Sequence, residues 1–315
     1  MKVLILTNII ISRIKNFSNK DINIAVENSL DSLSDKNLSN YESVIIKPNL
    51  CYYWDYSTGQ TTDPRVVSAV VDWIRKRSTK YVEIFVAEAD ASAMKTKYVF
   101  KMLGFEKLAK EKQINLVNLS EGEIINKKVM VDGEKFTLPV NKILLDKNLM
   151  INVPTLKIHR TIGFTCALKN MFGAIAKPRK YDYHNKLAKI IVAINKIIKS
   201  DIILVDGIIA VGKNPKKMGV IITGDDALST DLFIAKIIGY RPSRSSYLNL
   251  GVKEKIGESK IFNINSNPLD IEYIKKEFPK ANYLIEERKM SFFLSMLKLY
   301  TKIVGDVIPP VLDVE

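Results

Sequence analysis

Apolar residues in this chain gather in short, nearly unbroken runs separated by segments with helical spacing. Ser43–Lys47, Tyr81–Ala87, Leu149–Val153, Ile202–Val205 and Val220–Thr223 are almost continuous in Val, Ile, Leu or Phe. That pattern predicts strands covered on both faces. Pro64–Arg77, Lys95–Lys110, Asn185–Lys199, Ala227–Ile238 and Ser243–Ile256 carry helical spacing. The alternation predicts an α/β fold, a mostly parallel sheet with covering helices. Within Lys127–Leu138, Asp132-Gly133 predicts a tight turn and hence a β-hairpin insertion.

No repeat or Gly/Ser/Pro linker divides the chain, so a single α/β body over residues 1–285 is expected, with its motif-bearing core at about 44–256. Residues 286–315 form a separate pattern. Phe292, Phe293, Leu294, Met296, Leu297, Leu299, Tyr300, Ile303 and Val304 predict an amphipathic tail helix interrupted by Lys298, Lys302 and Asp306. Such a helix docks on the body, on a second copy in a homo-oligomer, or on a membrane surface. The opening Met1–Thr7 reads as a first strand and is too short for a secretory signal. No run reaches the roughly 18–20 apolar residues of a membrane span. A cytoplasmic setting is the expectation.

Charge sharpens this picture. Lys and Arg number 48 against 34 acids, a net charge of +14. The partner expected is therefore anionic: a phosphorylated or carboxylated small molecule, nucleic acid, or an acidic membrane. The excess is not spread evenly, because Lys157–Lys199 holds ten basic residues and one acid, Asp182. Phe164, Phe172, Tyr181 and Tyr183 interleave with these cations, which keeps a nucleic-acid or ribonucleoprotein reading open. Two cysteines and two histidines exclude a disulfide framework and a four-cysteine zinc site, and no iron–sulfur cluster is expected.

Ligands of open α/β sheets collect at the carboxyl ends of strands. There the chain places Lys47-Pro48-Asn49-Leu50, Ala87-Glu88-Ala89-Asp90, Pro154 through His159, Asp206-Gly207 and Gly224-Asp225-Asp226. Ligand-binding candidates are Lys47, Asn49, Thr62, Lys157, Thr165, Asn170, Asp206 and Asp225. His159 is the candidate acid/base, because its unperturbed pKa of ~6.5 lies near neutrality. Lys169 stands in a charge-poor run, Cys166 to Gly173. It is either a snorkelling lysine or a desolvated amine able to form a Schiff base. Lys213, Lys216 and Lys217, in a loop between Gly207 and Gly219, offer a weaker anion site. No dinucleotide fingerprint, Walker loop, nucleophile elbow or His-Glu-x-x-His is present.

In order along the chain come Ile46-Lys47-Pro48-Asn49-Leu50, Thr61-Thr62-Asp63-Pro64, Pro154 through His159, Thr165 through Gly173, Asp206-Gly207-Ile208, and Gly224-Asp225-Asp226-Ala227 with Asp231. Together they resemble the proteins grouped as domain of unknown function family 362, over roughly Val44 to Ile256. Many of those relatives carry a cysteine-rich ferredoxin-like segment, which this chain lacks. A more distant likeness is to nickel-pincer lactate racemases, through His159, Gly163-Phe164-Thr165, Lys169 and His184. That resemblance implies Lys169 as attachment point of an organic cofactor, His159 as base and His184 as a metal ligand, the metal being nickel or another. Ala167-Leu168 and Phe172-Gly173 depart from the racemase pattern, and no histidine precedes His159. The expected chemistry is isomerase- or lyase-like rather than lactate racemisation.

Overall fold

The computed structural model describes residues 7–33, 38–92, 94–159, 162–259 and 262–280, together with Leu299. The expected tail helix and the first six residues lie outside the described residues. The chain opens with β1 (Thr7–Arg13), α1 (Asn19–Leu33), β2 (Ser43–Pro48), α2 (Pro64–Arg77) and β3 (Glu83–Glu88). Two helices, α3 (Thr96–Met102) and α4 (Phe105–Lys112), lead to β4 (Asn115–Asn118). The hairpin β5 (Ile124–Val131) and β6 (Glu134–Asn141) follows, then β7 (Asn148–Val153), β8 (Thr155–His159), β9 (Gly163–Thr165) and the single turn α5 (Ala167–Asn170). The remainder is α6 (Leu187–Ile197), β10 (Ile202–Val211), β11 (Pro215–Gly224), α7 (Ala227–Ile237), α8 (Ser246–Lys253), β12 (Phe262–Ile264) and α9 (Pro268–Glu277).

The fold is α/β, as the alternation predicts. Among the described residues the main sheet runs β12-β1-β11-β10-β7-β2-β3-β4, with β8 beside β10 and β9 beside β8. Pairing is parallel from β10 through β7, β2 and β3 to β4, and antiparallel at β10–β11, β11–β1 and β8–β9. β5 and β6 make the separate two-stranded sheet, turning at Asp132-Gly133.

Continuous apolar strands serve two cores. Val44, Ile46, Leu149, Ile151, Ile202 and Leu204 pack with α1, α2 and α4 residues such as Leu30, Trp73 and Phe105. Their alternates Ile45, Met150, Ile203 and Val205 pack on the other face with Leu168, Ile191, Ile234 and the hairpin's Leu138. Each fully buried side chain of this kind contributes about 1.5–3 kcal/mol, so both faces anchor the register. Asp63 caps α2 by accepting from the Arg65 amide at 2.9 Å, with Pro64 opening the helix.

Three expectations change. The helix expected over Lys95–Lys110 is two helices, because Gly104 adopts a left-handed conformation at φ 80° between them. β10 does not stop at Val205 but runs through Asp206, with a register shift between Gly207 and Ile209, and turns back at Val211–Pro215. The glycine-containing segment proposed as an anion loop is therefore a β-hairpin, and its Lys216 pairs with Glu277 at 2.7 Å. Finally, β11 runs antiparallel to β10, so Gly224-Asp225-Asp226 leaves the sheet beside Ile203 at the start of β10, in the direction opposite to that in which β2, β3 and β7 leave it.

Candidate functional site

The carboxyl ends of β2, β3 and β7 open into one cavity of about 450 Å³ on the α5 side of the sheet. Its wall is built by strand periodicity. On β8, Leu156 and Ile158 go to the core, so Thr155, Lys157 and His159 share the other face and line the cavity. On β2, Lys47 shares a face with Ile45 and is 1% exposed. The segment after α5 adds Phe172, Gly173, Lys180, Tyr181 and His184.

Four lysines meet here: Lys47, Lys157, Lys169 and Lys180. Among the described lining residues the single carboxylate is Glu88, which takes Lys47 Nζ at 2.7 Å in a buried pair. The others rest on weaker acceptors. Lys157 Nζ donates to the Gln60 carbonyl at 2.7 Å and Lys180 Nζ to the Asp90 carbonyl, while Lys169 Nζ stands 4.5 Å from the centre of the Phe172 ring. Burial pushes Lys157 down, and it takes Lys180 to about 7. It takes Lys169 to about 8, assisted by the charge of Lys157.

His159 is exposed where the cavity meets solvent. Surrounding protein, then the charges of Lys169, Lys157 and His184, push its imidazole down to about 4. Because the ring still reaches water, repulsion by the cations is the firmer part of that shift. The imidazole is thus neutral at pH 7, a proton acceptor, where its unperturbed value gives a group poised near neutrality. His184 places Nδ1 3.2 Å from the Lys180 carbonyl oxygen and stacks on Tyr181, ring centres 5.0 Å apart.

A polar clamp fixes the turn that carries Lys169. Asp231 on α7 is fully buried and accepts from the Ala167 and Leu168 amides at 2.8 and 3.0 Å. Burial raises its carboxyl to about 7 against the pull of those two N–H groups. Asn152 of β7 donates to the Ala167 carbonyl at 3.0 Å, and Asn195 of α6 to the Leu168 carbonyl at 2.9 Å. Asn170 reaches the Lys47 carbonyl at 3.1 Å and Asn152 Oδ1 at 2.8 Å. The amides and carbonyls of Ala167 and Leu168 and the side-chain amide of Asn170 thereby each have a counterpart on the sheet or a helix.

Of the residues expected in the site, Lys47, Asn49, Lys157, His159, Thr165, Lys169, Asn170 and His184 line the cavity, and Thr62, Asp206 and Asp225 do not. Thr62 accepts from the Asn49 amide at 2.9 Å and donates to the Val153 carbonyl at 2.8 Å. Asp206 accepts from the Asp63 and Ile208 amides at 2.8 and 3.0 Å, and burial with Asp63 nearby raises it to about 7. Asp225 holds the Asn8 amide of β1 at 3.0 Å. Asn152 and Asn195 carry no mark in the sequence, whereas Glu88 stands in a strand-end segment, Lys180 in the basic stretch and Asp231 in the motif series without being site candidates.

The basic stretch is not an exposed stripe. Lys157, Lys169 and Lys180 turn into the cavity, Lys177 and Arg179 pair with Asp182, Lys186 and Lys189 with Glu134, and Lys196 with Glu254. Phe164 and Phe172 are buried. Among the described residues no three His, Cys, Asp or Glu side chains form a metal set. A metal held by protein donors alone does not fit these residues. Lys169, His159 and His184, the residues picked out by the racemase resemblance, line the same cavity.

An α/β sheet with a lysine-lined cavity at its strand ends, built from the motif series, defines a class. A family model described as Domain of unknown function (DUF362) matches residues 44–236, and the chain belongs to that family. A thylakoid-associated protein of Synechocystis sp. is 25% identical over 230 residues, which is 69% of this chain and 68% of the relative. The chain is also similar to the lactate racemase apoprotein of Thermoanaerobacterium thermosaccharolyticum, with TM-score 0.44 and 15% identity over 75% of its length. A Thermotoga maritima protein of known crystal structure gives TM-score 0.41 and 12% identity over 70%. The chain spans 58% of each of these two solved chains. Among the described residues no helix is long and apolar enough to cross a membrane.

Proposed function

We propose that this protein is an enzyme acting on a small anionic carbonyl compound, carboxylated or phosphorylated, with Lys169 as the reacting amine and His159 as proton acceptor. One observation carries the reading: four lysines share a cavity lined by a single carboxylate. Buried charges are ordinarily paired. Here the countercharge belongs to the ligand.

Lys169, at about 8, keeps a usable fraction of neutral amine near pH 7. Its Nζ adds to the carbonyl carbon, the carbonyl oxygen leaves as water, and a C=N bond takes the place of C=O. The iminium draws electrons from the adjacent carbon, whose proton passes to neutral His159, the step of an isomerase or lyase. Anion binding offsets the lysine charges that hold His159 down, so the imidazole accepts that proton more readily in the complex than in the free protein.

Borohydride trapping tests this reading. Protein incubated with 2-oxo acids and reduced should gain the mass of one ligand, less water and plus two hydrogens, on the peptide containing Lys169. No adduct with any 2-oxo acid at pH 8 overturns the amine's role. Intact mass on protein from its native source separates the same lysine bearing a cofactor from a free amine. A cytoplasmic location goes with this reading, and fractionation tests it against association with a membrane.

A further inference from the structure

Among the described residues five buried side-chain atoms lack a hydrogen-bond partner, and two of them, Ser92 Oγ and Thr155 Oγ1, belong to residues that line the cavity. Ser92 is 6% and Thr155 2% exposed. An unpaired buried hydroxyl costs on the order of 1–3 kcal/mol, so two at one cavity are not neutral bystanders. Neither carries charge, and neither has any part in the proposed proton transfer.

Their places in the sheet are informative. Ser92 lies four residues past the end of β3, and Thr155 two residues past the end of β7, with β2 between those strands. Neighbouring strands stand ~4.8 Å apart, so the two strands that feed these residues, β3 and β7, are about 10 Å apart. Each has a lysine beside it. Lys180 Nζ is bonded to the Asp90 carbonyl in the Ser92 loop, and Lys157 follows Thr155 on the same face of β8. Lys169 lines the same cavity from the turn whose Asn170 bonds Lys47 on β2, the strand between β3 and β7, and Asn152 on β7.

We infer that the ligand is a short dianion with an anionic group at each end: one end takes the Thr155 hydroxyl and Lys157, the other takes the Ser92 hydroxyl and Lys180, and its reactive carbonyl lies between them at Lys169. A 2-oxo dicarboxylate, or a phosphorylated 2-oxo acid of similar length, has that chemistry. The inference rests on the reading of the cavity as an anion site, and narrows it. A charged end without its hydroxyl partner still meets a lysine, so Ser92 and Thr155 set the choice between ligands more than the bare capacity to bind.

Calorimetric titration at pH 7 of the intact protein with 2-oxoglutarate, pyruvate and inorganic phosphate tests this. The dianionic oxo acid should bind at least about tenfold tighter than pyruvate, one hydrogen-bonded end being worth roughly that factor. The double variant Ser92→Ala with Thr155→Val, whose melting temperature should equal or exceed the parent's, should lower that ratio, a lysine remaining at each end. A ratio near one in the parent, or one unchanged in the double variant, overturns the two-ended ligand. Binding of phosphate without either oxo acid also overturns it while leaving the anion site standing. No binding of any of the three removes the anion site itself.

Discussion

Two clusters of buried charge sit on this sheet, and they are built on opposite principles. Around Asp206, the carboxylate oxygens meet the Asp63 and Ile208 amides, and Asp63 is held in turn by Arg65 at 2.6 Å. Around Lys169, four lysines have one carboxylate and otherwise borrow carbonyl oxygens and an aromatic face. The first cluster is closed: its partners all lie within the chain, and it ties β10 to the start of α2. The second is open, and its deficit is of one sign. Buried charge that satisfies itself holds the fold, whereas buried charge left in surplus points to a ligand.

The comparison breaks most decisively at Glu88. Glu88→Gln leaves Lys47 buried without a countercharge among three other lysines, and stability in urea should fall by about 3–5 kcal/mol. Added phosphate should recover more of that loss than it adds to the parent. A variant as stable as the parent means the cavity does not hold charged lysines. Asp206→Ala should cost about 2–3 kcal/mol by orphaning two amides, and phosphate should add no more to this variant than it adds to the parent. Recovery there erases the distinction between the clusters.

Lys180→Met sharpens it from the other side. Removing one of several buried like charges should leave stability unchanged or raise it by about 1 kcal/mol. The same change should weaken anion binding about tenfold by titration. The smallest effect is that of pH. The charged lysines bind the anion, and Lys180 and Lys169 lose their protons near 7 and 8. Affinity should therefore fall several-fold between pH 6.5 and 9, with proton uptake on binding near neutrality. Stability of the free protein runs the other way. These lysines bind fewer protons folded than unfolded between about 7 and the unfolded value of ~10.4, so their contribution rises with pH across that window.

The sequence declared the strands through Val44–Ile46 and Leu149–Val153, because a segment buried on both faces must be apolar at every position. Asp63-Pro64 and Asp132-Gly133 were equally plain, since caps and tight turns depend on local chemistry. Strand direction is not local. Nothing in Val220–Thr223 says that it runs against Val205, or that the residue after it, Asp225, is engaged by β1 at Asn8 rather than by the cavity. Lys180 reads as surface, within Pro178-Arg179-Lys180-Tyr181-Asp182, and becomes interior only because its segment folds over the strand ends. Ser92 carries no pattern at all. The sequence marks His159 but not the surroundings that lower it, since burial comes first and the charges of Lys169 and Lys157 act only once the fold brings them beside it.

Gly173 closes the motif that made this chain recognisable, and its backbone is not in the left-handed region. What matters there is clearance. A Cβ at position 173 would stand 2.9 Å from Glu88 Oε1 and 3.0 Å from Lys47 Nζ. A single methyl group would therefore press directly on the buried ion pair. The position works as a gauge of the gap between loop and sheet: alanine there would disturb the charge balance of the cavity without altering a single ionisable residue.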